Sequence, residues 1–267
     1  MTEPSTQKSL RRNGQITRSK MMRAAVTLFL ESGYQKTTIA QISNLAEMTT
    51  SAFFRAFPDK ETILFSLTSY VFDYQFEQVE LLLGEEGDPL LLYGVEIALQ
   101  LYITEQSEAL RDVYVMAHSL STTSKLIYKK MTNWLMHIFA KTMPAATGVD
   151  FYELEIASGS ILRGYMAKPC DLYFTMERKL RRCLSITFKL YDVPLEIRES
   201  IISQVLAMDL YQFAENLIKE VVQNAEEGIF MCEAHNRFSL ASPAGTPVGL
   251  SPFSCTATLS QSVATID

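Results

Sequence analysis

The sequence contains no uninterrupted apolar run near the 18 residues that a membrane-spanning helix needs, and no apolar stretch follows the basic residues at its start. Neither a membrane span nor a secretory signal is expected, so the chain is expected in the cytoplasm. Histidine is scarce: His118, His137 and His235 offer no ligand cluster. The four cysteines, at 170, 183, 232 and 255, include no C-x-x-C pair, the pattern of reduced thiols rather than of a metal or redox centre. The signatures G-x-S-x-G, G-x-x-x-x-G-K-[ST], H-E-x-x-H and G-x-G-x-x-G are all missing, so no enzyme, metal or cofactor is expected. No strand pattern of any conviction and no internal repeat is visible.

Positive charge is also in deficit, with 24 lysines and arginines against 30 acidic residues and a net of −6. That total looks wrong for a nucleic-acid partner until it is divided along the chain. Residues 1–60 carry nine basic and four acidic side chains, a net of +5, which leaves −11 for the remainder. One end therefore attracts phosphate and the rest repels it. At 267 residues and 48% hydrophobic content, the chain is long and apolar enough for two domains with substantial cores.

The positive end contains the most informative stretch, TTIAQISNLAEMTTSAFFRAFPDK, from Thr37 to Lys60. Ile39, Ile42, Leu45 and Ala46 recur at helical steps, and Thr38 with Gln41 forms a capping box ahead of them. Three residues later Thr49 can cap a second short helix, in which Phe53 and Phe57 point inward together while Thr50, Ser51 and Arg55 stay outside. Two short helices joined by a tight turn form a helix-turn-helix, whose second helix can enter a DNA major groove. Before it, a helix is expected over about 17–32, with Met22, Val26 and Phe29 inward and Gly33 ending it. After it, Asp59 caps a long helix to about Leu83.

The run from Ile16 to Leu64, under a fifth of the chain, resembles the N-terminal domain of TetR-type transcriptional regulators. Thr17-Arg18, Ala24-Ala25, Leu28-Phe29, Gly33-Tyr34, Thr37-Thr38, Ile42, Ala46, Phe57 and Lys60 stand in the family's order and spacing. The resemblance implies an all-α chain with an N-terminal three-helix helix-turn-helix domain and a larger C-terminal helical domain for ligand binding and dimerisation. The expected boundaries are a flexible basic arm at 1–14, a DNA-binding domain at 15–75 with its helix-turn-helix at about 38–57, the effector and dimerisation domain at 76–232, and a disordered tail at 233–267. The DNA-binding residues it implies are Arg18, Lys36, Thr37, Thr38, Thr49, Thr50, Ser51, Phe54, Arg55 and Lys60. Thr38, Thr49, Phe54 and Lys60 would hold the backbone, while Thr50, Ser51 and Arg55 would meet base edges.

Two departures stand out. The family's turn glycine is replaced by Glu47, which must take a left-handed conformation at about 1–2 kcal/mol or shift the turn. A tyrosine that would reach a phosphate is replaced by Phe54. These changes raise an alternative: a regulator-like helical protein that binds a ligand or a protein partner, its DNA-reading helix decayed.

Beyond the GEEGDP break at 84–89, helices are expected at about 89–106, 108–118, 121–142, 150–167, 172–191 and 195–226. The ERKLRR cluster at 177–182 reads as a solvated or rim-facing strip. By resemblance, helices 150–167 and 172–191 build a homodimer interface, which Ala157, Ser158, Gly159, Ser160 and Gly164 would allow to close tightly. An aromatic and methionine-rich interior is expected to enclose a small hydrophobic effector, with Tyr93, Met116, His118, Trp134, His137 and Arg163 as candidate lining. The expected partners are therefore a double-stranded DNA operator, a second copy of the chain and that effector. The expected output is ligand-responsive repression at a palindromic operator, the protein lying with the nucleoid when bound.

Overall fold

Local capping chemistry sets where the first elements begin and end. In the computed structural model, which describes residues 4–84 and 87–228 and the side chains from residue 14 onward, α1 runs Pro4–Lys36. It is interrupted at Gly33 (φ 83°, ψ 168°), the conformation that ends the regular helix. The sequence leads one to expect this helix from about Thr17. It instead begins at Pro4, because residues 5–15 carry no further proline and mostly side chains that a helix tolerates. The side chains of Lys8, Arg11 and Arg12 and the tail at 233–267 lie outside the described residues.

Helix α2 (Ile39–Leu45) opens on the Thr38–Gln41 capping box, and α3 (Thr50–Ala56) on Thr49, whose hydroxyl accepts from the Ala52 amide. Asp59 opens α4 (Lys60–Leu83) in the same way. Met21, Met22, Val26, Phe29, Ile42, Phe53, Phe57, Ile63 and Leu64 are all buried in one core beneath these helices.

The body follows as α5 (Pro89–Gln106), α6 (Glu108–Ala117), α7 (Ser121–Ile138), α8 (Gly148–Ala167), α9 (Met176–Leu190), α10 (Leu195–Ala207) and α11 (Leu210–Glu226). No strand occurs among the described residues. Helix α5 is apolar nearly all round, and every residue from Tyr93 to Leu101 is buried, so it forms the centre of the second core. Gly94 lets it lie against α10: a Cβ there would meet Val205 Cγ2 at 3.1 Å. Along α4 the side chains pass from the first core at Leu67 to the second at Phe76, so this one helix serves both.

Three expectations from sequence are corrected. The helix expected over 195–226 is two, because Met208 is extended and the Asp209 carboxylate restarts the chain by accepting from the Gln212 amide. The helix expected from 172 begins at Met176, since Asp171 folds the preceding residues by accepting from the amides of Tyr173 and Phe174. Lys179, expected in a solvated strip, is buried: its ammonium pairs with Glu105 at 2.5 Å and donates to the Lys168 carbonyl.

Candidate functional site

Helix α3 presents Thr50, Ser51, Phe54 and Arg55 to solvent while Ala52 and Phe53 anchor it. Thr38 and Thr49 are exposed at the starts of α2 and α3, their hydroxyls held by the caps. The turn between these helices contains Glu47 at φ 55°, so the left-handed conformation that glycine adopts freely is here imposed on a glutamate.

The remaining expected DNA contacts are tied into the fold. Thr37 is 2% exposed and donates to the Gly33 carbonyl at 2.7 Å, so its side chain cannot reach DNA. The Arg18 guanidinium donates to the Ala56 carbonyl at the end of α3 and stacks 4.2 Å from the Phe57 ring. Burial lowers its pKa, but arginine stays charged. Lys36 is exposed and pairs at 3.1 Å with Glu108. Lys60 turns back onto the main chain between α1 and α2, donating to the Tyr34 and Thr37 carbonyls.

The head is fastened to the body at a second point. Asp112 on α6 accepts from both the backbone and the side-chain amide of Gln35, just past the Gly33 break. A Cβ on Gly33 would fall 2.8 Å from the Asp112 carboxylate, so glycine is required by the approach as well as by its dihedral angles. Farther along, Tyr70 and Tyr74 of α4 bond Asn224 and Glu220 of α11.

Between these attachments lies a largely apolar cavity of about 90 Å³. Its walls come from both cores: Val26 and Phe29 of α1, Leu64 and Leu67 of α4, Tyr114 of α6 and Leu217 of α11. A smaller space of about 20 Å³ adjoins it, sharing Phe72, Gln100, His118 and Ile127, with Glu96 and Glu155 beyond. A polar chain crosses three helices here. The Tyr114 hydroxyl donates to Gln75 Oε1 at 3.4 Å, and Gln75 Nε2 donates to Glu96 Oε2 at 2.6 Å. Burial pushes the Glu96 and Glu155 carboxyls up to about 8, although hydrogen bonds from Gln75 and Ser158 pull the other way. His118 is held down to about 4 by its enclosure and by the Arg163 charge, and so is neutral near pH 7.

Of the six residues expected to line the pocket, His118 faces both spaces and Tyr93 lines the smaller one. The other four do not line either. Met116 packs against the head core, and Trp134 stands edge-on to Phe76 at 3.7 Å. His137 and Arg163 are exposed on α7 and α8. Composition and the resemblance pointed to them, but the side chains that line the two spaces on α7 and α8 are Ile127, Met131, Glu155, Ser158, Gly159 and Leu162. Glu96 and Gln100 were missed, although a polar pair four residues apart in the otherwise apolar stretch 89–103 of α5 marks them in the sequence.

Among the described residues no group of three His, Cys, Asp or Glu side chains is placed to hold a metal, and no helix is long and apolar enough to cross a membrane.

Comparisons agree with this architecture. Residues 21–67 match the bacterial regulatory proteins of the tetR family. An uncharacterised HTH-type transcriptional regulator of Bacillus subtilis (strain 168), YuxN, is 31% identical over 79 residues, which are 30% of this chain and 27% of that protein. The crystal structure of RolR in complex with its ligand resorcinol superposes with a TM-score of 0.58 at 16% identity, covering 72% of this chain and 96% of that one, a likeness of fold. Over residues 21–67 the chain is similar to the bacterial regulatory proteins of the tetR family, and the pair of short helices α2 and α3 lies within that match.

Proposed function

We propose that the protein is a ligand-responsive repressor that binds a palindromic operator as a homodimer and releases it when a small hydrophobic effector occupies the cavity. The outward face of α3 carries this reading: Thr50, Ser51 and Arg55 are exposed together on a short helix whose opposite side is locked by Phe53. Such a helix inserted in a major groove brings hydrogen-bonding side chains to base edges. One copy makes few base contacts, and two-fold pairing reads half-sites about 34–36 Å apart.

The proposed dimer face lies on α8 and α9. Val149, Tyr152 and Ile156 of α8 and Ile186 of α9 are exposed apolar side chains, next to the small outward residues Ala157, Ser160 and Gly164. Ser158 and Gly159, expected in the same interface, point into the body, where Ser158 bonds Glu155 and Tyr191. Release follows from the shared cavity. An effector touching Phe29 and Leu64 contacts the head core directly, and it expels DNA to the extent that it binds the non-reading arrangement more tightly. RolR in its crystal structure holds the ligand resorcinol, and an effector of small-molecule size is proposed here by analogy.

Selection from random duplex DNA by the purified full chain tests the proposal. Recovery of an inverted repeat, bound with a steep salt dependence, is the expected result. A folded dimer that enriches no sequence at low salt would instead favour the decayed reader that Glu47 and Phe54 suggest.

A further inference from the structure

We propose that the effector is a hydrophobic molecule bearing a hydrogen-bond donor head, a hydroxyl or an amine, which enters the small space between Glu96 and Gln100. This rests on the effector reading of the cavity and specifies the chemistry it selects. Glu96 is 2% exposed and Gln100 8% exposed, one helical turn apart on α5, and both line the smaller space. Glu96 Oε2 is taken by Gln75, but Glu96 Oε1 and Gln100 Oε1 are buried with no hydrogen-bond partner among the described residues. A buried polar atom left bare costs about 1–3 kcal/mol, so two lining one space favour an occupant that donates to Gln100 Oε1 and pairs with the Glu96 carboxyl.

Size narrows the occupant. About 20 Å³ admits a single polar group, since one water needs roughly 10–15 Å³ measured in this way. The adjoining cavity of about 90 Å³, walled by Phe29, Leu67, Val71 and Phe72, then takes the apolar body. A carboxylate head is disfavoured because its charge would be buried in an enclosed, largely apolar space and would meet the bare Gln100 oxygen acceptor to acceptor.

The test measures binding of four matched probes to the full-length protein by calorimetry: ethylbenzene, 2-phenylethanol, 2-phenylethylamine and 3-phenylpropanoate. The alcohol or the amine is expected to bind at least roughly tenfold tighter than ethylbenzene, the worth of one good hydrogen bond, and the carboxylate weakest of all. Which of the two donors leads decides between hydroxyl and ammonium. Gln100→Leu should erase the donor's advantage over ethylbenzene while leaving ethylbenzene binding in place, and Glu96→Gln should weaken the amine more than the alcohol. Equal binding of ethylbenzene and both donors, as when the small space holds only water, would overturn the head-group proposal but leave the effector cavity standing. Tighter binding of the carboxylate would overturn it too. Failure of all four to bind a folded protein would remove the cavity reading and this proposal with it. Retained ethylbenzene binding confirms that each variant has folded.

Discussion

The Lys60 ammonium donates to the Tyr34 carbonyl at 2.7 Å and lies 4.1 Å from the centre of the same residue's ring. A second bond, 2.8 Å long, reaches the Thr37 carbonyl. Burial lowers the Lys60 pKa and the Asp112 charge opposes that shift. Lysine has three N–H donors, and two are committed here to holding α4 against the α1–α2 junction.

Lys60→Ala is therefore expected to act twice. Losing the two charged hydrogen bonds and the ring contact should cost roughly 2 kcal/mol, read from the urea midpoint. The third N–H is left for a phosphate, so DNA affinity should fall alike for all sequences and the salt slope should flatten by about one unit. An unchanged slope beside lowered stability would make Lys60 a purely structural residue.

Thr37 and Thr50 should separate folding from reading. Thr37→Val removes a buried hydroxyl from the Gly33 carbonyl and is expected to cost about 1 kcal/mol with no change in preferred DNA sequence. Thr50→Ala changes an exposed position and should leave the urea midpoint within about 0.5 kcal/mol while altering the sequence selected. The same selected site in wild type and Thr50→Ala would remove Thr50 from base contact.

Glu47 at φ 55° is strained in a way that glycine is not. Glu47→Gly should raise stability by about 1 kcal/mol, the left-handed penalty less the added entropy of glycine in the unfolded chain. It also removes a negative charge beside the reading helix, so affinity for DNA should rise most at low salt. Lower stability in the variant would mean that the glutamate side chain holds the turn.

The head was legible in the sequence because its signals are local. Thr38 with Gln41, Thr49 and Asp59 each cap a helix within three residues, and Glu47, standing where the resembling family has its turn glycine, takes the left-handed one of the two conformations open to it. The body was legible as helices but not as a site. Lys179 is buried because Glu105, 74 residues away in sequence, receives it, and no pattern within ERKLRR encodes that partner. The α10–α11 break carries neither glycine nor proline and lies within a continuous apolar stripe. The cavity depends on which helix faces oppose one another, so aromatic and methionine residues such as Trp134 and Met116 filled core instead.

Asp112 couples the body to the head, and its removal should uncouple effector binding from DNA release. Asp112→Ala takes both acceptors from Gln35 and leaves the walls of the cavity in place. Effector affinity is expected to stay within about twofold of wild type, while the effector's power to dissociate DNA falls, since coupling is lost when the sites no longer bias one arrangement. Titration of a protein–DNA complex with effector reads this directly. Full release in the variant would show that α4 alone carries the signal.

The two buried carboxyls give the last prediction, on pH. Glu96 and Glu155 have folded values raised from glutamate's ordinary 4.5 to about 8, chiefly by burial. Between those values the unfolded chain has lost its protons while the folded one keeps them. The folded state therefore binds more protons, and stability must fall as pH rises through the window. The slope approaches, at most, about 1.4 kcal/mol per pH unit for each group. Glu105 works in the opposite sense at lower pH. Burial raises it, but the Lys179 ammonium, the Cys170 amide and Arg111 together bring it below 4.5, so its contribution is complete above that value and disappears only in acid. His118, held near 4, works against them below 6.5 but is one group against two, so the urea midpoint should be higher at pH 5.5 than at pH 8. Glu96→Gln with Glu155→Gln should abolish or reverse that difference, because a neutral amide titrates nowhere in the window. A midpoint that rises toward pH 8 in the wild type would mean that both carboxyls are ionised in the folded protein.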